Sequence, residues 1–426
     1  MTEQKLIDKM IAEFRAKKPI YNLMSLYYDG EQDIKRNYNK LVDRSNQIVS
    51  ENFVSKFINE EIGYSLGNPI SYISMSGNKN MIDAIEKSTF HWRDNHNQEL
   101  MRNLEIYGTA FTLNYIDAKG RFSERILNPE NAIVYCDADG VPMRFIHFYI
   151  PKYEETEYHD IYYPDGRIEV YKGNELINTK HHPFSGIPIS ICKLENINDT
   201  IFAKIKDLQD AYNHVLTDQV NTISDFRTAY LVIAGVQVAE ETEKQLELGN
   251  KRVINLDSSS NSYAKWLIKE LNDSYIENNL ERLRNSMYEV TNHVDGNEKL
   301  QSNTSGTALR NRLVFLEQRC NFMLTLVLNT IYERIERLFE YLALQGQVFD
   351  WHDIKITATP CIPQDVISII QGLVQLGIGT NISLETALSQ IPFVENPAQE
   401  IAKIQQERKT NNKIELDKID GYGDTE

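Results

Sequence analysis

Histidine pairs are the first candidates for chemistry in this sequence. His91 and His96 bracket the stretch HWRDNH, and His181 and His182 are adjacent. A histidine metal site needs ring nitrogens that converge from one face. Residues five apart on a helix point to different faces, and adjacent residues point apart, so neither pair has ligand spacing. A metal-dependent hydrolase using His91, His181 or His182 stands only as an alternative that metal analysis of the purified protein would test. The acidic neighbours Glu60-Glu61, Glu154-Glu155 and Glu240-Glu241 have the composition of general acid and base partners. With 61 Asp and Glu spread evenly along the chain, solvated faces are the plainer reading. Cys136, Cys192, Cys320 and Cys361 are too far apart for a CxxC pair, which points to a reducing compartment. The stretch NTSGTALR, 303 to 310, has one Gly and lacks the Lys of a phosphate loop. Its Thr304 and Ser305 suit a helix cap instead. No GxSxG, HExxH or Ser-His-Asp spacing occurs. The reading is of a non-enzyme with no catalytic residue, no cofactor and no metal.

The elements that would position such residues explain more. A chain of 426 residues predicts two or three structural units. Its 41% hydrophobic and 25% charged residues are those of a folded soluble protein. A formal charge of −16 excludes a broad grip on nucleic acid phosphates, which requires clustered Lys and Arg. The N-terminus lacks the apolar core of a signal peptide, and no run of about 18 apolar residues exists, so no membrane partner is expected. The expected setting is the cytoplasm, or a particle assembled there.

Residues 4 to 15 have helical spacing that Pro19 should end, and a second, Tyr-rich helix should stop at Asp29-Gly30. Ile48, Val49, Phe53, Val54, Phe57, Ile58 and Ile62 predict one helix, broken at Gly63, Gly67 and Pro69. From about residue 98 a helix leads into period-two segments separated by DAKG, DADG, PDG and KGN, which predict one antiparallel sheet of hairpins. The stretch HHPFSGIPISICKLEN reads as a connection rather than a regular element. Residues 200 to 231 then predict a helix of about 45 Å, followed by a small α+β insertion and a returning helix. Leu309, Leu313, Leu316, Cys320, Met323, Val327, Ile331, Ile335, Leu338 and Leu342 predict a second helix of about 60 Å. A strand through DIKITATPCIPQD and three short helices follow, with Asn381 or Ser383 capping the second and Pro397 opening the third. Residues 409 to 426 are expected to be a disordered tail.

In order along the chain, YYDGEQDI, NFVSKFINEEIGYSLGNPISY, EIYGTAFTLNYID, LNPENAIVYCD, GIPISICKLEN, KIKDLQDAYNHVLTDQVNTISDFRTAYLVIAG and SGTALRNRLVFLE resemble segments of bacteriophage portal proteins. The resemblance is to the family found in long-tailed phages of Gram-positive hosts. It implies a mostly helical α+β fold with a wing (1–199), a two-helix stem (200–230 and 273–293) and a small α+β clip (231–272). A tunnel loop (294–304), a long tunnel helix with a return strand (305–364) and a helical crown (365–408) complete it.

The function so implied is a ring of about twelve subunits at one capsid vertex. A terminase large subunit would package double-stranded DNA through it, and the DNA would later be ejected by the same route. Head-tail adaptor, major capsid and scaffolding proteins are the other implied partners, and the virion is the implied location, after assembly in the host cytoplasm. Asn297, Lys299, Gln301 and Asn303 are the expected loop residues near DNA, with Ser305, Gly306 and Arg310 starting the tunnel helix. The alternative is a cytoplasmic helical scaffold without a channel.

Overall fold

The computed structural model describes residues 2–40, 42, 45–93, 95–226, 230–234, 253–256, 263–267, 273–295, 306–361, 366–377, 381–389, 391, 394, 397 and 400–408. The chain divides into two compact units, Met1–Gly63 with Ala84–Trp351, and Tyr64–Asp83 with His352–Glu426.

In the first unit, α1 (Glu3–Tyr28) runs unbroken through Pro19, where two helices were expected. Pro19 is exposed, so the Arg15 carbonyl it leaves unbonded meets water. Buried Met24 and Tyr27 continue the packing face beyond it, and the Tyr27 hydroxyl donates to Asp210 at 2.7 Å. After α2 (Asp33–Asn37), residues 45–52 are extended, not helical, and α3 (Phe53–Leu66) begins only at Phe53 and passes through Gly63. Next come α4 (Lys79–Thr89) and α5 (His96–Tyr107).

The expected single sheet is two. Strands β2 (Thr109–Ile116), β3 (Phe122–Leu127) and β9 (Ile189–Lys193) form one, in the order β3-β2-β9. Strand β9 lies in the stretch expected to be irregular, where its pairing with β2 overrides the flanking turn residues. The other sheet is the meander of β4 (Ala132–Cys136), β5 (Pro142–Tyr149), β6 (Tyr158–Tyr162), β7 (Arg167–Lys172) and β8 (Glu175–His181). Alternation along β5 and β6 explains how this sheet is covered on both faces. Phe145 and Tyr162 join Phe111, Leu113 and Ile189 in one core, while Ile146, Phe148 and Ile161 pack on Ile7, Met10 and Phe14 of α1 in the other.

Helix α6 (Ile201–Phe226), strands β10 (Tyr230–Ala234), β11 (Val253–Leu256) and β12 (Tyr263–Leu267), and α7 (Asp273–Thr291) follow. Strand β10 pairs parallel to β11 and antiparallel to β12, and α6 packs on α7. The short helix expected at EETEKQLELG lies outside the described residues. Helix α8 (Gly306–Leu344) has 39 residues and buries Leu316, Cys320, Met323, Val327, Ile331, Ile335, Leu338 and Leu342, as its apolar period requires.

The second unit has a two-stranded antiparallel sheet in which β13 (Ile354–Thr357) pairs with β1 (Ser71–Ser74), a strand not foreseen. Helices α9 (Val366–Leu376) and α10 (Leu384–Ser389) and a helical stretch over 400–408 complete it. Ser383 caps α10, its Oγ accepting from the Thr386 amide at 3.1 Å. The tail from 409 lies outside the described residues. Among the described residues no helix is long and apolar enough to cross a membrane.

Candidate functional site

Of the expected site residues, Asn297, Lys299, Gln301, Asn303 and Ser305 lie outside the described residues, as does Thr304. Gly306 and Arg310 fall in the opening turns of α8. The chain that precedes the segment holding the loop residues and the helix that follows it, α8, meet at one buried point.

On the N-terminal side, α7 ends at Thr291, whose hydroxyl donates back to the Met287 carbonyl at 2.7 Å. His293 then enters the core, stacked on Phe57 with ring centroids 4.3 Å apart. Its Nε2 lies 3.3 Å from the Phe57 carbonyl and 3.6 Å from Glu61 Oε1. Burial pushes the His293 imidazole pKa down, against the pull of Glu61, which favours the neutral ring. Asp295 is held by Arg284 at 2.8 Å.

On the C-terminal side the anchor is Arg319. Its Nε donates to the same Glu61 Oε1 at 2.6 Å, its Nη2 to Glu105 Oε2 at 3.1 Å, and its Nη1 to the Asp199 carbonyl at 3.1 Å. Helices α3, α5 and α8 thus bring two carboxylates to one guanidinium. Both carboxylates are fully buried. Burial, reinforced by the Glu61 charge, pushes Glu105 well above the usual carboxylate range despite Arg319. A proton kept on Glu105 leaves one negative and one positive charge in the cluster. It also supplies a donor between Glu105 Oε1 and Glu61 Oε2, which have no other partner.

A second cluster fixes α8 four turns further on. Arg334 grips Glu124 of β3 with both arms of its fork, at 2.6 and 2.8 Å, and donates to Asn97 Oδ1 at 2.7 Å. His96 Nε2 is 2.9 Å from Glu124 Oε1, and the Trp92 ring lies 5.2 Å from the guanidinium. Burial alone would push Glu124 up; Arg334 and His96 outweigh it and hold the carboxyl down at about 2.

These contacts place the residues first considered for chemistry. His91 and His96 do not share a helix, since α4 ends at Thr89 and α5 starts at His96; they bond Ser123 and Glu124 separately. His181 is exposed at the end of β8, whereas burial and Arg337 push His182 down to about 4. Among the described residues no group of three ligand-type side chains could hold a metal. Glu60 and Glu61 are not both solvated: Glu60 sits 3.7 Å from Lys56, and Glu61 is the buried anchor. Glu154 is exposed beside Lys172, and Glu240-Glu241 lie outside the described residues. Solvation is the wrong reading for Glu61, and the sequence does not single out Glu105 and Arg319, because their only signal is charge within apolar helical stripes.

These enclosed clusters tie α8 to α3, α5 and β3. A family model described as phage portal protein, SPP1 Gp6-like, matches residues 7–413, and the chain belongs to that family. The portal protein of Bacillus phage SPP1 is 24% identical over 457 residues, covering 98% of this chain and 89% of that one. Among solved structures, a chain from the virion of a native gene transfer agent particle matches with a TM-score of 0.41 and 11% identity, over 79% of this chain and 88% of that one.

Proposed function

We propose that this portal protein forms a ring of about twelve copies at one capsid vertex. Double-stranded DNA passes through the ring, driven inward by the terminase and later ejected, and the head-tail adaptor docks on it. The observation that carries this reading is the family match from residue 7 to 413, which takes in all the described elements but the first residues of α1. We assign 1–199 to the wing, 200–230 and 273–293 to the stem, and 231–272 to the clip. The loop is 294–304, the tunnel helix with its return strand 305–364, and the crown 365–408. The succession of α6, a three-stranded sheet and α7, with α7 packed on α6, suits a stem that carries a clip. A charge of −16 suits a channel that repels phosphate and lets DNA slide.

Within this reading 294–304 is the loop that meets DNA, and Lys299, its one basic residue, is the contact to phosphate. The contact of both His293 and Arg319 with Glu61 supports the assignment, because a loop bearing on moving DNA needs its flanking elements held together. Deleting 297–303 leaves ring assembly intact and blocks packaging; normal packaging by such rings would overturn the loop assignment. The ring itself is tested by light scattering with negative-stain images of the same fraction. A mass of about twelve chains of 49.3 kDa with a central hole is expected. A compact dimer without a hole would favour a helical scaffold instead.

A further inference from the structure

The side chains of Gln209, Asn213, Thr217, Asn221 and Asp225 recur every fourth residue along α6; the last four meet the main chain of the extended segment 45–52, and Gln209 meets the first amides of α3. Asn221 accepts from the Gln47 amide at 2.8 Å and donates to the Gln47 carbonyl at 2.9 Å. Thr217 Oγ1 does the same with Val49, at 3.2 and 2.8 Å, and Asn213 with Glu51, at 2.9 and 3.3 Å. Asp225 accepts from the Ser45 amide at 2.8 Å, and Gln209 from Phe53 and Val54 at 3.0 and 3.1 Å.

In an extended chain the N–H and C=O of one residue point the same way, and the direction alternates along the chain. Bonding both groups of residues 47, 49 and 51 is therefore what a neighbouring strand would do. The spacings match as well: four helical residues rise about 6 Å and two extended residues span about 6.6 Å. Of the segment's own side chains Gln47, Ile48 and Glu51 are exposed, Glu51 Oε1 accepts from the Tyr212 hydroxyl at 3.3 Å, and Asn52 Nδ2 donates to the Tyr28 carbonyl at 2.9 Å. The rung residues Gln209, Asn213, Thr217 and Asn221 are buried beneath it.

We propose that this polar stripe of α6 is an extended-peptide site that reads main chain rather than side chains, with residues 45–52 as its resident, releasable strap. The inference stands independently of the portal reading. A proline scan in the full-length protein, read by hydrogen-deuterium exchange over 45–53, tests it. Val49→Pro and Glu51→Pro remove amides that the rungs use, whereas Ile48→Pro and Ser50→Pro remove amides that they do not. Exchange at least tenfold faster is expected for the first pair, with near wild-type rates for the second. Equal effects across all four, or none, would overturn the strap.

The Thr217→Val, Asn221→Leu double variant leaves the strap sequence intact and should release it equally, so a misfolded proline variant does not obscure the outcome. A labelled peptide of residues 44–54 and a scrambled peptide of the same composition are then added to the Val49→Pro protein. Both are expected to bind by fluorescence anisotropy, within about threefold of each other. Binding of the native peptide alone would mean side-chain recognition, and binding of neither would mean no site; either result overturns the proposal.

Discussion

Single residues govern how α8 is held. Removing one partner of a buried ion pair leaves an uncompensated charge, so Arg334→Met should lower stability by about 3–5 kcal/mol in denaturant unfolding. Adding Glu124→Gln should recover much of that loss. A carboxyl depressed to about 2 contributes stability above its unfolded value near 4.5 and loses it as pH falls through that window. The difference in stability between wild type and Glu124→Gln should therefore shrink from pH 5 to pH 2. Glu105 has the opposite sign. Its raised pKa means that the fold loses stability as pH climbs from the unfolded value toward the folded one. Glu105→Gln keeps a donor for Glu61 and an acceptor for Arg319, so it should raise the melting temperature at neutral pH and flatten the dependence above pH 5. An unchanged or lower melting temperature at pH 7 would mean that Glu105 does not carry the proton.

At the scale of elements, local pattern sufficed wherever the helix or hairpin was its own context. The period in α8 and the Asp-Gly turns between β4 and β5, and between β6 and β7, were legible because neighbours in sequence decide them. The strap was not. Ile48 and Val49 fall in phase with the helical period of Phe53 and Phe57, but the main chain of Gln47 and Val49 is claimed by α6 side chains about 170 residues away. Strands β1 and β9 were hidden for the same reason, each being defined by a partner distant in sequence. The site shows the same divide: Glu61 and Arg319, far apart in sequence, come together only through the fold. The junction of α5 and β2 turns on Gly108, which has φ +69 and whose Cβ position lies 3.1 Å from Thr200 Cγ2. Gly108→Ala should cost about 1–3 kcal/mol in thermal unfolding, and a loss under 0.5 would show that the turn relaxes freely.

For the whole molecule the decisive question is what lies against the outer face of α8. Phe315 and Phe322 are exposed by 63% and 53%, in a helix whose other face is buried from Leu316 onward. Seven residues apart, they stand on one side of the helix, two turns from each other. In a single chain they would leave two aromatic rings in water. In the proposed ring each subunit contacts its neighbours head to tail, and an apolar face on the longest helix gains a second burial surface. Phe315→Asp with Phe322→Asp adds two charges to a face that is solvated in the monomer, so circular dichroism and melting of the isolated chain should change little. Light scattering should shift from ring to monomer. A variant that still forms rings of full mass would place the subunit contact elsewhere, while one that loses its helical signal would show that these rings belong to the fold of one chain.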